Sequence, residues 1–186
     1  MKKILFLIII SFLISESSIA SIKEKIINKL IYIDNISFKF KQTIEKKEEN
    51  GSCIIKYSKK IFCSYDSKFN KVLVSNGKSL VIKSNKNKQY YVYPLKKTPL
   101  NLILDKNFLI EKILDSKSQS NSLNYYSLKI IQEKSTIIVH FDKKNLSLIG
   151  WTTNDIYQNK VETKISNIKS NLIIDKKIFK IQNYIN

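Results

Sequence analysis

Residues 71–104, KVLVSNGKSLVIKSNKNKQYYVYPLKKTPLNLIL, limit what this chain can fold into more tightly than any other stretch. Two runs rich in β-branched residues flank Asn76-Gly77, a dipeptide suited to the positive φ angles of a two-residue hairpin loop. With that loop, Leu73 pairs with Leu80 beside Ile82 on one face, and Val72 pairs with Val81 on the other. A third run, Lys88 to Pro94, follows the polar break 84–87. The pattern then changes character. Thr98 reads as an N-cap and Pro99 as the first helical residue of a short apolar helix carrying Leu100, Leu102, Ile103 and Leu104. Such a helix is far shorter than the ~20 residues needed to cross a bilayer. A sheet with an apolar helical lid is the expectation.

The same alternation recurs on both sides. Ile22, Ile26, Leu30 and Ile33 sit at helical spacing behind an S-x-x-E capping pattern, Ser21 and Glu24. From Ile36 the period switches to two, with Ile36, Phe38, Phe40, Gln42 and Ile44 on one face. A charged turn, 46–50, leads to a hairpin over 52–65 whose register pairs Cys53 with Cys63 and Ile55 with Ile61. Beyond the lid, Asp105 opens a second helix bearing Phe108, Leu109, Ile110, Ile113 and Leu114. A polar loop spans 115–124. Two-residue periodicity returns over 125–132, 135–142 and 145–153, and 156–168 with a short run near 171–181 completes it. About ten strands and a few short helices give an α+β reading: a curved antiparallel half-barrel with helices over its concave side.

Residues 1–20 read as a signal peptide: Lys2-Lys3, an apolar run from Ile4 to Ile14, and Ser18-Ile19-Ala20 as a cleavage site, with residues 21–186 forming one domain. Its removal leaves 31 basic and 14 acidic residues, a charge of +17. All the basic residues are Lys, scattered without a run of five, and Ile and Asn are abundant too. Codon choice in an A- and T-rich genome accounts for that trio, and a dispersed cationic surface is the reading, with no nucleic acid as partner. In an exported chain, two cysteines opposite each other across a hairpin favour a Cys53–Cys63 disulfide over two buried thiols; a redox pair would call for C-x-x-C.

Catalytic machinery is thin. The single His, His140, points away from Val139 and Phe141, toward the wetter face of its strand. One His and two paired cysteines do not make a zinc site, and no G-x-S-x-G, phosphate loop or dinucleotide fingerprint occurs. Neither an enzyme nor a cofactor is expected. Aromatic residues on alternating strands read as core or pocket lining.

Val-Ser-Asn-Gly-Lys-Ser-Leu (74–80), Gln89 and Lys-Thr-Pro-Leu-Asn-Leu-Ile (97–103) resemble, in order and spacing, the LolA family of periplasmic outer-membrane lipoprotein carriers. Phe40-x-Gln42 fits that family's F-x-Q, Leu148-Ile149-Gly150-Trp151 with Asp155 and Gln158 its L-x-x-W step, and Asn171 to Phe179 its closing N-x-x-x-D-x-x-x-F. The resemblance implies an acyl-chain cavity between sheet and lid. Phe40, Ile61, Leu73, Leu80, Ile82 and Tyr91 are then its sheet side, and Leu100, Leu102, Ile103, Leu104, Phe108 and Ile113 its helical side. It also implies a monomeric periplasmic chaperone of a Gram-negative bacterium. Such a carrier receives acylated lipoproteins from an inner-membrane ABC release complex and passes them to an outer-membrane receptor where one exists. A half-barrel module that senses lipid or lipoprotein is the rival reading. One departure stands out: the family's Arg-Pro in the turn of the 52–65 hairpin is replaced by Tyr57-Ser58, and no Arg exists to hold a lid.

Overall fold

The computed structural model describes residues 22–57, 59–66, 70–132, 135–155 and 158–185. The expected signal segment, the capping residue Ser21 and Ser58 lie outside them. Helix α1 (22–31) is followed by β1 (Asn35–Ile44), β2 (Lys47–Lys56), β3 (Lys60–Tyr65), β4 (Lys71–Asn76), β5 (Ser79–Ser84) and β6 (Tyr90–Pro94). Helices α2 (Leu100–Leu104) and α3 (Lys106–Asp115) interrupt the strands, which resume as β7 (Lys117–Asn121), β8 (Tyr125–Gln132), β9 (Ser135–Asp142), β10 (Leu148–Asn154) and β11 (Lys160–Ser170). All strands join one antiparallel sheet in the order β6-β5-β4-β3-β2-β1-β11-β10-β9-β8-β7. Pairing of β1 with β11 joins the two halves of the chain. The curved sheet does not close: β6 and β7 remain its edges.

Strand alternation gives the sheet two apolar faces. On the concave face Phe38, Phe40, Ile55, Ile61, Leu73, Leu80, Trp151 and Ile165 share one core with Ile26, Ile27 and Leu30 of α1 and with Leu102, Ile103, Leu104, Leu109 and Ile113 of the later helices. Gly51 lies opposite Phe40. A Cβ there would run into the Ser64 backbone carbonyl and come within 2.8 Å of the Phe40 ring, so only glycine fits. Facing the other way, Val72, Val74 and Val81 are buried as well. They lie on strands packed by two 3-10 turns, Lys176–Phe179 and Ile181–Tyr184.

The closing motif of the sequence builds that cover. Asn171, at φ 55°, accepts a hydrogen bond from the Asp34 N–H and donates its side-chain amide to the Tyr32 carbonyl. Asn35 and Leu172 bond each other through side chain and backbone. Asp175 caps the first turn by accepting from Lys177 N–H, which seats Phe179 in a buried position.

Several expectations are corrected. The hairpin loop is Gly77-Lys78 rather than Asn76-Gly77, with Leu73 opposite Ile82, Val74 opposite Val81 and Leu80 opposite Ser75. Gly77 alone takes a positive φ, 98°, while the Asn76 side chain accepts from the Lys78 and Ser79 N–H groups and holds the turn from outside. Residues 46–50 are mostly strand, since Glu45, at φ 53°, completes a two-residue turn before β2. The polar loop expected at 115–124 contains β7, an edge strand whose low apolar content hid it. The short run near 171–181 is the 3-10 cover, not a strand. Thr98 does not N-cap α2, where Pro99 holds that position; it closes the preceding 3-10 turn Leu95–Lys97, its hydroxyl and N–H both donating to the Leu95 carbonyl. Asp105 does cap α3, accepting from Phe108 N–H at 3.2 Å.

Candidate functional site

Side chains of eight neighbouring strands meet the N-terminal end of α2 around a cavity of about 360 Å³. That volume lies at the lower end of the ~300–1,000 Å³ usual for small-molecule sites. Its sheet wall includes Phe38, Phe40, Ile61, Leu73, Leu80, Ile82, Trp151 and Val161, and its lid side is Thr98, Pro99, Leu100 and Ile103. Trp151 stands edge-on to Phe38, centroids 6.3 Å apart, and Phe40 stands edge-on to Tyr65 at 4.9 Å. The Cys53–Cys63 disulfide forms part of the wall and ties β2 to β3 in the expected register.

One end of the cavity is polar. The strand ends away from the lid supply Gln42, Glu49, Tyr65, Lys71 and Thr163. Lys71 Nζ bonds both carboxylate oxygens of Glu49, at 2.5 and 2.6 Å, and lies 3.9 Å from the Tyr65 ring centroid. Gln42 donates to Thr163 Oγ1 at 3.1 Å. Burial, aided by the Glu49 charge, pushes the Tyr65 phenol well above its ordinary range, so it stays neutral. An amphiphile could lay an apolar chain under the lid and leave its polar part at this end.

Of the residues expected to line a cavity, Phe40, Ile61, Leu73, Leu80, Ile82, Leu100 and Ile103 are brought together around it. Leu102, Leu104 and Ile113 are instead buried in the core, and Phe108 packs against that core. These four sit on the faces of α2 and α3 that anchor the lid. Tyr91 shares the face of Ile82, its partner across β5–β6, but points into solvent; Tyr93, two residues further on and on the same face, lines the cavity instead. Phe38, Trp151 and Val161 went unread. Phe38 follows from the alternation that selected Phe40, whereas Trp151 and Val161 depend on the β1–β11 pairing, which no local pattern announces.

The lid has a tether. Lys59 Nζ lies 2.9 Å from Asp105 Oδ2, so the β2–β3 turn grips the junction between α2 and α3. Lys59 takes φ 65° there, and its carbonyl accepts from the Ser75 hydroxyl, which fixes the turn. This cation comes two residues after Tyr57, in the turn where the resemblance had left the role vacant. Lys106 adds bonds from α3 to the carbonyls of Ile31 and Ile33, beside Tyr57, whose phenol burial pushes up to about 12.

His140 sits on the convex face, half-buried. Its ring nitrogens bond the hydroxyls of Ser127, at 2.9 Å, and Thr152, at 3.1 Å. Burial lowers its pKa below the usual imidazole value, with Glu162 opposing and Lys160 adding to the effect. No cluster of three or more potential metal ligands occurs among the described residues.

Residues 32–182 match the profile of the family described as outer membrane lipoprotein carrier protein LolA. No curated protein matches the sequence. Among solved structures, an uncharacterized conserved protein from Thermus thermophilus is similar at TM-score 0.51 and 10% identity, covering 88% of this chain and 92% of that one. A DUF1329 family protein from Desulfovibrio piger gives TM-score 0.50 and 8% identity over 90% of this chain and 98% of its own. A LolA superfamily protein from Nitrosomonas europaea gives TM-score 0.46 and 9% identity over 86% and 98%. At such identities the first two likenesses speak for the fold alone.

Proposed function

The chain belongs to the LolA family, and from that premise we propose that it is a periplasmic carrier that shelters the acyl chains of lipoproteins between its sheet and α2. The observation that carries this reading is the cavity: apolar beneath the lid, polar at the far end, and covered by a helix of only five residues. Each methylene withdrawn from water is worth about 0.8 kcal/mol, so a lipoprotein's acyl chains cannot cross an aqueous compartment unshielded. The shelter must also let go. A helix as short as α2 has little stability of its own and is held by packing and by the Lys59–Asp105 pair. Displacing it trades lid–sheet contacts for lid–chain contacts of the same apolar kind, so opening is cheap in both directions. Because such contact is non-directional, the cavity would discriminate weakly among clients.

In this reading the chain takes cargo from an inner-membrane ABC release complex and yields it to an outer-membrane acceptor, acting as a monomer without catalysis. Two measurements test it. Purified protein should bind a tripalmitoylated lipopeptide saturably, and the lipopeptide should displace a fluorescent fatty acid from it. Depletion in the native host should leave outer-membrane lipoproteins stranded at the inner membrane. Intact sorting together with an altered envelope stress response would sink the carrier reading in favour of a lipid-sensing module.

A further inference from the structure

Among the described residues, strand β6 is the one strand where large apolar side chains stand in solvent on both faces of the sheet. Tyr90, Tyr91, Val92 and Tyr93 are 44, 58, 50 and 41% exposed. Among the described residues only β5 pairs with this strand, so its outer side is open. Two backbone bonds at its ends set the phase of the ladder: Ser84 N–H to the Gln89 carbonyl, and Leu95 N–H to the Lys78 carbonyl, both 2.9 Å. Residues of an antiparallel strand alternate between bonding one neighbour and facing away from it. Gln89 and Leu95 face β5, hence so do Tyr91 and Tyr93. The N–H and carbonyl groups of Tyr90 and Val92, and the carbonyl of Pro94, therefore aim outward. Pro94, which has no N–H to offer, occupies an outward position, as an edge strand permits.

Charge singles out the same edge. Between Asp66 and Asp105 the chain carries eight Lys and no acidic residue. Lys88 and Lys96 bracket β6 itself, both exposed. Natural sheet edges are blunted by short strands, Lys, Pro, bulges or a cover; β6 is short, ends in Pro94 and is bracketed by lysines, yet it still leaves the outward groups of Tyr90 and Val92 and three tyrosine side chains open.

We propose that β6 docks an extended acidic segment of a partner protein, which adds to the sheet as a further strand. Main-chain bonds to Tyr90, Val92 and Pro94 would hold it, the tyrosines would clasp it from both faces, and the lysines would select for acidic residues. A second copy of this chain fits poorly, because it would bring two lysine-only edges together. A bilayer fits poorly too, since hydrocarbon would leave the outward backbone groups unsatisfied. β6 runs directly into the lid segment, and Tyr93 lines the cavity, so the segment would dock beside the cavity's rim. Docking at this edge is independent of what the cavity holds and can fail separately from the carrier reading.

The test uses a fluorescein-labelled ten-residue peptide of alternating Glu and Val, read by anisotropy against the purified protein. Saturable binding that weakens as salt rises is expected. Methylating alternate backbone nitrogens of the peptide on its pairing edge should weaken it about tenfold or more, as the loss of the three hydrogen bonds to the Tyr90, Val92 and Pro94 carbonyls implies. Val92→Pro, which removes one outward N–H and no bond to β5, should weaken binding of the unmodified peptide severalfold with the melting temperature nearly unchanged. Equal affinity for the methylated peptide, or for a Lys–Val peptide, would overturn the proposal. So would failure of the Glu–Val peptide to bind while phosphatidylglycerol vesicles do, which would make the edge a membrane contact.

Discussion

Replacing Leu73 with Trp tests whether the space under the lid is a binding site or only an imperfectly filled core. Leu73 is 8% exposed and lies on the cavity floor. An indole there points into existing room, so the fold should tolerate it, whereas a bound chain would have to retreat. Trp brings roughly six more heavy atoms than Leu; if they displace ~3–4 methylenes at about 0.8 kcal/mol each, binding loses about 2.4–3.2 kcal/mol, or roughly 50- to 200-fold in affinity. Titration of a fluorescent C16 fatty acid, with tripalmitoylated lipopeptide as competitor, measures this directly. Val72→Trp is the control. Val72 is equally buried but faces the C-terminal turns, where overpacking should cost about 1–3 kcal/mol of stability and leave affinity alone. That cost lowers the melting temperature by about 2–4 °C per kcal/mol in a chain of this size. Unchanged affinity in Leu73→Trp would refute the cavity as the site. Loss of affinity in Val72→Trp alone would mean that the ligand lies on the convex side.

Reducing the Cys53–Cys63 bond, whose cysteines are 10 residues apart in sequence, should cost about 2.7 kcal/mol by loop-closure entropy, lowering the melting temperature by ~5–11 °C in calorimetry with and without reductant. Lys59→Met should weaken the tether by about 0.2–1 kcal/mol, since both partners are partly exposed. Amide exchange in α2 should then rise about 1.5- to 5-fold, with global melting scarcely altered; a large global loss would mean that the pair holds the whole fold. His140 is held below its unfolded pKa of about 6.5, so the unfolded chain binds the extra proton first. Its neutral form should therefore give full stability above about pH 6.5, and stability should fall as pH drops below that. His140→Gln should flatten this slope in pH-dependent melting, and an unchanged slope would move its origin elsewhere.

Why one part of the fold was legible in the sequence and another was not follows from the range of the physics involved. The β4–β5 register was misplaced by two residues, because Asn76-Gly77 invites a loop that the Asn76 side chain, bonding Lys78 and Ser79 from outside, shifts along by one. Yet Leu73, Leu80 and Ile82 still share the concave face and Val72 and Val81 the convex one. Side chains alternate with a period of two, so an even slip preserves every face and only an odd one inverts the sheet. The same rule makes the concave half of the site readable from strand parity alone. It cannot reveal what covers the convex half. Val72, Val74 and Val81 advertise a second apolar face, but their cover is a non-periodic segment whose position depends on Asn171 reaching the chain near Asn35, 136 residues away in sequence. Periodicity carries no term for such a contact. For the same reason Trp151 and Val161, brought to the cavity by β10 and β11, went unread, while Phe40, on the strand that β11 joins, was found.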